Sequence, residues 1–239
     1  FRIDLTIVKS SKNKSKTYLN SNITKNIEKY EIEIEYLNDI KESTFDNFWK
    51  IIENVLQIID DTHFVISEKE KTLVLCDYIK LVNDKMFDKC SDTIFDYLNN
   101  TVLHKPKQYF LSYQPITLEQ QNIIEPELGI DSIHKEYTVT EKADGERYLL
   151  YVHKNNKVYA LDNRLHVKYL WISHKNSNSI IDCEFIKKSK FNTFINTFMC
   201  FDIYFMNNKD CRNKPLISER LDLLKAFCKF LGRSCTHQW

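Results

Sequence analysis

Only three glycines punctuate 239 residues, and one of them, Gly145, falls in YTVTEKADGERYLLYV, residues 137–152. An alternating run over 137–142 predicts a strand that ends on Lys142. Ala143, Asp144 and Gly145 form a turn, and a second apolar run predicts a strand over 147–153. A lysine that flanks a turn is ordinarily a solvated side chain. Its chemical alternative is a nucleophile, which needs an unprotonated amine, obtained by desolvation or by a neighbouring cation. Gly145 lets the backbone turn tightly and a ligand approach closely.

The surrounding sequence is mostly strand-like. Further strands are expected over 157–161, 166–171, 180–186 and 197–205, with Asn155-Asn156 as a hairpin turn. A helix is expected over 217–232, with Ser218 as N-cap and Gly232 as its stop. Upstream, FRIDLTIVK alternates, and so does YEIEIEYL, which sets Glu31, Glu33 and Glu35 on one face. Three carboxylates in a row repel unless water or a cation separates them. Between these runs and the later strands lie three helical segments. The first carries an apolar stripe with Ser43 and Asp46 as a capping pair. The second opens with Ser67 and Glu70 at capping-box spacing, and the third covers 91–100. The fold class is α+β, with a boundary near residue 105.

The formal net charge is +1, so any polyanion site must be a local patch. The surplus of Lys, Asn and Ile fits an AT-rich genome as well as any physical demand. Seven cysteines show neither C-x-x-C spacing nor a His pair for zinc, and are expected as reduced, buried thiols. No apolar run reaches membrane-spanning length. The chain opens on Phe1 inside a strand-like run, so a fragment is expected.

EKADGERYLL contains K-x-D-G-x-R, which resembles motif I of the covalent nucleotidyltransferase superfamily, the mRNA capping guanylyltransferases and ATP-dependent ligases. IIDCEFI resembles its motif III through Asp182 and Glu184, with Cys183 in place of the usual small residue. FMCFDIYFMN resembles motif IIIa through Phe201 and Asp202, and QPITLE resembles the segment that opens the domain in viral capping enzymes. The resemblance covers roughly residues 106–232. It implies antiparallel sheets with helices, of the ATP-grasp-like ligase and capping type. It implies Lys142 as the residue that attacks the α-phosphorus of a nucleoside triphosphate. Nucleotide-binding roles would go to Asp144, Gly145, Arg147, Glu184 and Phe201, with Arg164 as a further arginine of uncertain register. Phe201 as core packing and Glu184 as a solvated edge acid are the plainer alternatives.

YEIEIEYL resembles the glutamate strand of metal-dependent RNA triphosphatases, and FRIDLTIVK the basic strand before it. That resemblance implies Glu31, Glu33 and Glu35 as metal ligands, Arg2 and Lys9 as phosphate-binding residues, and Mg²⁺ or Mn²⁺ as cofactor. Residues 1–40 would then be the last strands of a triphosphatase tunnel, 41–105 a helical connector, and 106–239 the front of a guanylyltransferase domain. Together these features resemble the capping enzymes of large DNA viruses. The implied partners are GTP, an RNA 5′ end and a methyltransferase domain or subunit, with no membrane and a place in the cytoplasm or virion. A ligase acting through lysine–AMP, or a non-catalytic module on the same fold, are the alternatives.

Overall fold

Alternation in this sequence becomes sheet wherever a partner strand is available. The structure is a computed structural model that describes residues 1–11, 17–21, 23–37, 44–83, 95–113, 116–124, 132–134, 137, 139 and 142–229. The chain divides into two compact units, Phe1–His63 and Phe64–Trp239.

In the first unit, β1 (Arg2–Val8) pairs antiparallel with β2 (Lys29–Glu35). The register sets Asp4 opposite Glu33 and Thr6 opposite Glu31, while Ile3 faces Ile34 and Leu5 faces Ile32. One face is therefore polar and the other apolar. Ile3, Leu5 and Ile7 stay exposed. Two strands form where the last strands of a tunnel are expected over 1–40, and among the described residues β1 and β2 pair only with each other. α1 (Thr44–Asp60) forms over the expected apolar stripe, and its Phe48 stacks on Phe1 at 5.8 Å. Ser43, its expected cap, lies outside the described residues.

The second unit is built on six antiparallel strands in the order β5-β4-β3-β6-β7-β8. They are β3 (Glu146–Val152), β4 (Lys157–Leu161), β5 (Val167–Ser173), β6 (Ser179–Lys188), β7 (Phe194–Met206) and β8 (Lys209–Asp210). The expected strands from 147 onward form, each within a few residues of its bounds. The strand expected over 137–142 lies only partly within the described residues. Tyr137, Val139 and Lys142 lie outside any strand, and the other three residues are outside the described set. Both edges of β3 are already occupied, by β4 and β6, so no place beside it is left.

Each face of this sheet carries its own core. Leu149, Tyr151, Tyr159, Leu161 and Ile180 pack under α2 (Glu68–Val82), which contributes Val74, Leu75, Tyr78 and Ile79. Leu150, Val158, Ile181 and Ile203 pack under α3 (Leu221–Cys228), through Leu224 and Phe227. Ser67 caps α2, its hydroxyl accepting from the Glu70 amide at 3.1 Å. The Glu70 carboxylate accepts from Lys157 Nζ and the Tyr159 hydroxyl, both at 2.7 Å, and the Lys157 bond holds its pKa down. Asp77 takes His153 at 2.7 Å and Lys154 at 2.8 Å. α2 is thus pinned to the β3–β4 hairpin, and the division after His63 differs from the boundary expected near residue 105. The described part of the third helical segment is Phe95–Tyr97 running into a π-helical turn Leu98–Val102.

Ser218 does not cap the last helix. It sits inside a π-helical turn, Leu216–Arg220, because the amides of Glu219 and Arg220 both reach back to the Pro215 carbonyl. α3 begins only at Leu221, and Gly232 lies outside the described residues. Asparagine supplies the turns that glycine would usually serve. Of the nine described non-glycine residues at positive φ, six are Asn. Asn156 is one, with φ 67°, and its amide closes the β3–β4 turn on His153 O at 2.8 Å. The five described cysteines are free thiols.

His174 is buried between the sheet and α3. Its Nδ1 accepts the Asn176 amide at 3.1 Å, which leaves Nε2–H to donate to Phe227 O at 3.1 Å. Burial lowers its pKa below the usual 6.5. The unfolded chain therefore takes up the proton first, and the neutral ring's contribution, full above that value, is lost as pH falls below it. Thermal melts at about pH 7 and about pH 5 should show a larger drop for the unaltered chain than for His174→Gln.

Candidate functional site

The K-x-D-G turn is docked on β6 by an absence of side chain. A Cβ on Gly145 would lie 2.3 Å from the Phe185 carbonyl oxygen and 2.7 Å from Ile186 Cδ1, so only glycine fits. The Gly145 amide donates to Glu184 Oε1 at 3.1 Å. Glu184 stands opposite Arg147 in the β3–β6 register, which brings motifs I and III together at one end of the sheet.

Lys142 precedes this turn with its side chain 86% exposed, and its ammonium donates to the Asp144 carboxylate, 89% exposed. That hydrogen bond, then the charge of Asp144, raises the lysine pKa above its ordinary value; Glu184 adds a smaller push. The same bond lowers Asp144. Among the described residues neither burial nor a cationic side chain activates Lys142. It is solvated, and its nearest charges are acids.

Arg147 is held by Asp182, a carboxylate with no exposed surface at the centre of β6. Arg147 Nε donates to one Asp182 oxygen at 3.0 Å and Nη2 to the other at 2.6 Å. This two-pronged, charge-assisted geometry is the strong form of the pair. The Tyr204 hydroxyl of β7 also donates to Asp182, and its own ionisation is pushed far up by burial and by that carboxylate. Arg147 Nη1 donates to the Tyr113 carbonyl at 3.0 Å. Tyr113 is in turn positioned from α2. The buried Tyr78 hydroxyl donates to Tyr109 O at 2.9 Å and accepts Leu111 N at 2.8 Å, which fixes the segment leading to it.

Phe201 owes its position to a β-bulge. Pairing steps from Asp182 opposite Asp202 to Cys183 opposite Cys200, which leaves Phe201 as the extra residue. Its ring is partly exposed, with the Arg147 guanidinium carbon 5.5 Å from its centre. It is thus not a core side chain. Asp202 is a structural acid. It is buried, its pKa is raised by that burial, and it lies 3.1 Å from Arg220 Nε at the approach to α3. Arg164 is exposed on the β4–β5 turn, its amide held by Asp162 Oδ1 at 2.8 Å. Leu161 lies opposite Leu149, so the turn falls at the end of the sheet where β3 starts.

The sheet end therefore gathers Lys142, Asp144, Gly145, Arg147, Glu184 and Phe201. Sequence reasoning gave no role to Asp182, Tyr204 and the Tyr113 carbonyl. The one available signal was an aspartate inside the apolar run IIDCEFI, where a buried acid demands a partner. Asp144 and Glu184 offer two hard oxygen donors, the number a Mg²⁺ ion takes from protein when phosphates supply the rest. Among the described residues no group of three or more His, Cys, Asp or Glu side chains is arranged to hold a metal ion. Glu31, Glu33 and Glu35 of β2 share one exposed face of the β1–β2 pair with Arg2 of β1, which binds Asp4 at 2.7 Å and Glu35 at 2.6 Å. Lys9 follows the end of β1 and lies 3.3 Å from Glu28. A cavity of about 560 Å³ opens at the far end of the large sheet, lined by Lys80, Lys154, Asn178 and Arg212 among others. Its lining includes none of Lys142, Asp144, Gly145, Arg147, Glu184 and Phe201. No described helix is long and apolar enough to cross a membrane.

Two acids at this end should separate on mutation. Asp182→Ala strands Arg147 and Tyr204 and should cost about 3–5 kcal/mol in urea unfolding. Asp144→Ala should leave the unfolding midpoint unchanged.

Residues 88–236 match the family model described as mRNA capping enzyme, catalytic domain. Over 188 residues the chain is 32% identical to a protein of Acanthamoeba polyphaga mimivirus named probable mRNA-capping enzyme. That alignment covers 77% of this chain and 13% of the relative, so the chain spans about an eighth of the relative's length.

Proposed function

Since the chain belongs to the mRNA capping enzyme family, we propose that its second unit is the lysine-bearing part of a guanylyltransferase that passes through a Lys142–GMP adduct. The observation that carries the reading is the convergence of K-x-D-G-x-R, Glu184 and Phe201 at one sheet end, with Gly145 fitted against β6. In the first step the Lys142 amine attacks the α-phosphorus of GTP. An N–P bond forms, the P–O bond to the leaving group breaks, pyrophosphate departs, and the amine proton passes to solvent. In the second step a terminal oxygen of a 5′-diphosphate RNA attacks the same phosphorus and restores the lysine.

The residues have separate tasks in this scheme. Phe201 offers a face for the purine, backed by Arg147. The remaining N–H groups of Arg147 reach toward ribose or phosphate while Asp182 fixes the guanidinium plane. Glu184 holds the turn and, with Asp144, offers oxygens to Mg²⁺ or Mn²⁺, which when bound would offset phosphate charge. A solvated lysine is protonated at neutral pH, and the Asp144 hydrogen bond raises its pKa further, so adduct formation requires that the amine leave Asp144 and lose its proton.

The β1–β2 hairpin supports a second part of the reading. Its two-faced register gathers Arg2 with Glu31, Glu33 and Glu35, a polar lining suited to an RNA 5′-triphosphatase site completed by other strands. An RNA 5′ end and a methyltransferase domain or subunit are the partners proposed for the whole enzyme, in the cytoplasm or virion.

Incubation of the whole enzyme that carries this chain with α-labelled GTP and Mg²⁺ tests the scheme. Label should be retained on the protein and be lost in Lys142→Ala. Labelling by ATP in place of GTP would assign a ligase, and labelling by neither would favour a non-catalytic module.

A further inference from the structure

The β6–β7 hairpin extends past the sheet. The β3–β6 ladder ends at Glu146 opposite Phe185; beyond it β6 and β7 pair only with each other, Ile186 opposite Thr197 and Lys188 opposite Phe194. The extension begins at the Lys142 turn, because Phe185 and Ile186 are the residues against which Gly145 is fitted. Its composition departs from the rest of the chain. Residues 185–201 contain Lys187, Lys188 and Lys190 and no Asp or Glu, in a protein whose net charge is +1.

Aromatic rings are interleaved with these lysines and left in solvent. Phe191 is 79% exposed and Phe194 62%. Lys188 Nζ lies 4.7 Å from the Phe194 ring centre and Lys190 Nζ 5.2 Å from that of Phe191. The tip is ordered by its own bonds: the Ser189 amide donates to Thr193 O at 2.8 Å, the Asn192 amide to Ser189 O at 2.9 Å, and the Phe191 amide to Ser189 Oγ at 3.2 Å. Exposed rings beside cations on a fixed turn suit bases that stack while lysines neutralise the phosphates between them. An acidic protein surface would satisfy the lysines but give the two phenylalanines no reason to stand in water.

We propose that this hairpin is a docking arm for the single-stranded 5′ segment of the RNA acceptor, holding the first nucleotides as the terminal phosphate reaches Lys142. The proposal rests on the guanylyltransferase reading for the identity of the acceptor. At the rise of a strand the tip is about 15 Å from Gly145, a span of a few nucleotides.

The test is binding of a fluorescein-labelled, 5′-diphosphate RNA of about ten nucleotides to the unaltered chain, by anisotropy without GTP. With no GTP present the result does not depend on adduct formation, so failure of the lysine chemistry and failure of the arm are separate results. The combined change of Lys187, Lys188 and Lys190 to Ala should weaken binding by roughly tenfold or more and reduce the salt slope by about 2. Phe191→Ala should weaken it by roughly tenfold with the slope unchanged, and Phe191→Trp should restore it. All three variants should melt as the unaltered chain does, since the residues are exposed. RNA binding that is absent, or equal in the lysine variant, the Phe191→Ala variant and the unaltered chain, overturns the proposal. So does a poly-glutamate peptide that competes as well as RNA while Phe191→Ala has no effect, since that assigns the arm to an acidic protein.

Discussion

The pair between Arg147 and Asp182 is the interaction on which the rest of the site depends. It joins β3 to β6, and the Tyr204 hydroxyl extends it to β7. A carboxylate with no exposed surface is costly to bury alone, and here a two-pronged guanidinium and a phenol share that cost. The pair also sets the Arg147 plane over the partly exposed Phe201 ring. α2 serves the same end from a distance. Tyr78 fixes the segment that carries the Tyr113 carbonyl, the third partner of Arg147. A helix without chemistry of its own thus helps to place a residue of the site.

Much of this was legible in the sequence, for identifiable reasons. The strands after residue 146 were readable because their apolar runs are broken by Asn-rich turns. The motif residues fell together because a K-x-D-G turn that starts one strand and a D-x-E in the next are brought into register by antiparallel pairing. Gly145 was readable as a tight turn, while its real constraint, a carbonyl 2.3 Å from where a Cβ would lie, belongs to a residue forty positions later. Of the segment 137–142, Tyr137, Val139 and Lys142 lie outside any strand, since alternation says nothing about whether the neighbouring β3 has a free side. Ser218 failed as a cap because the carbonyl of Pro215, three residues earlier, had already closed a wider turn around it. The surplus of Asn, set down to genome bias, turns out to have structural use as the residue that takes positive φ where glycine is scarce.

The two units differ in how fully their sequence patterns are used. In the second, the central part of the sheet is covered by α2 on one side and α3 on the other, while Trp171 and Phe194 stay exposed at its margins. In the first, Leu5, Ile7 and Trp49 remain exposed although the strands and the helix form as their periodicity demands. Local pattern was sufficient to specify the elements there, and packing was not.

The central claim is that the site stands assembled while its nucleophile is held inactive. Gly145, Arg147, Glu184 and Phe201 are in place, yet the Lys142 amine stands in water, which keeps an ordinary lysine charged at neutral pH, and Asp144 raises its pKa further. The measurement that tests this most directly is an NMR titration of the Lys142 amine in the chain without ligand, assigned by comparison with Lys142→Arg. The account predicts a pKa above the ordinary 10.5, which returns toward that value in Asp144→Asn. An amine that titrates below the ordinary lysine range in the free chain would contradict it, since the nucleophile would then be activated by the fold alone.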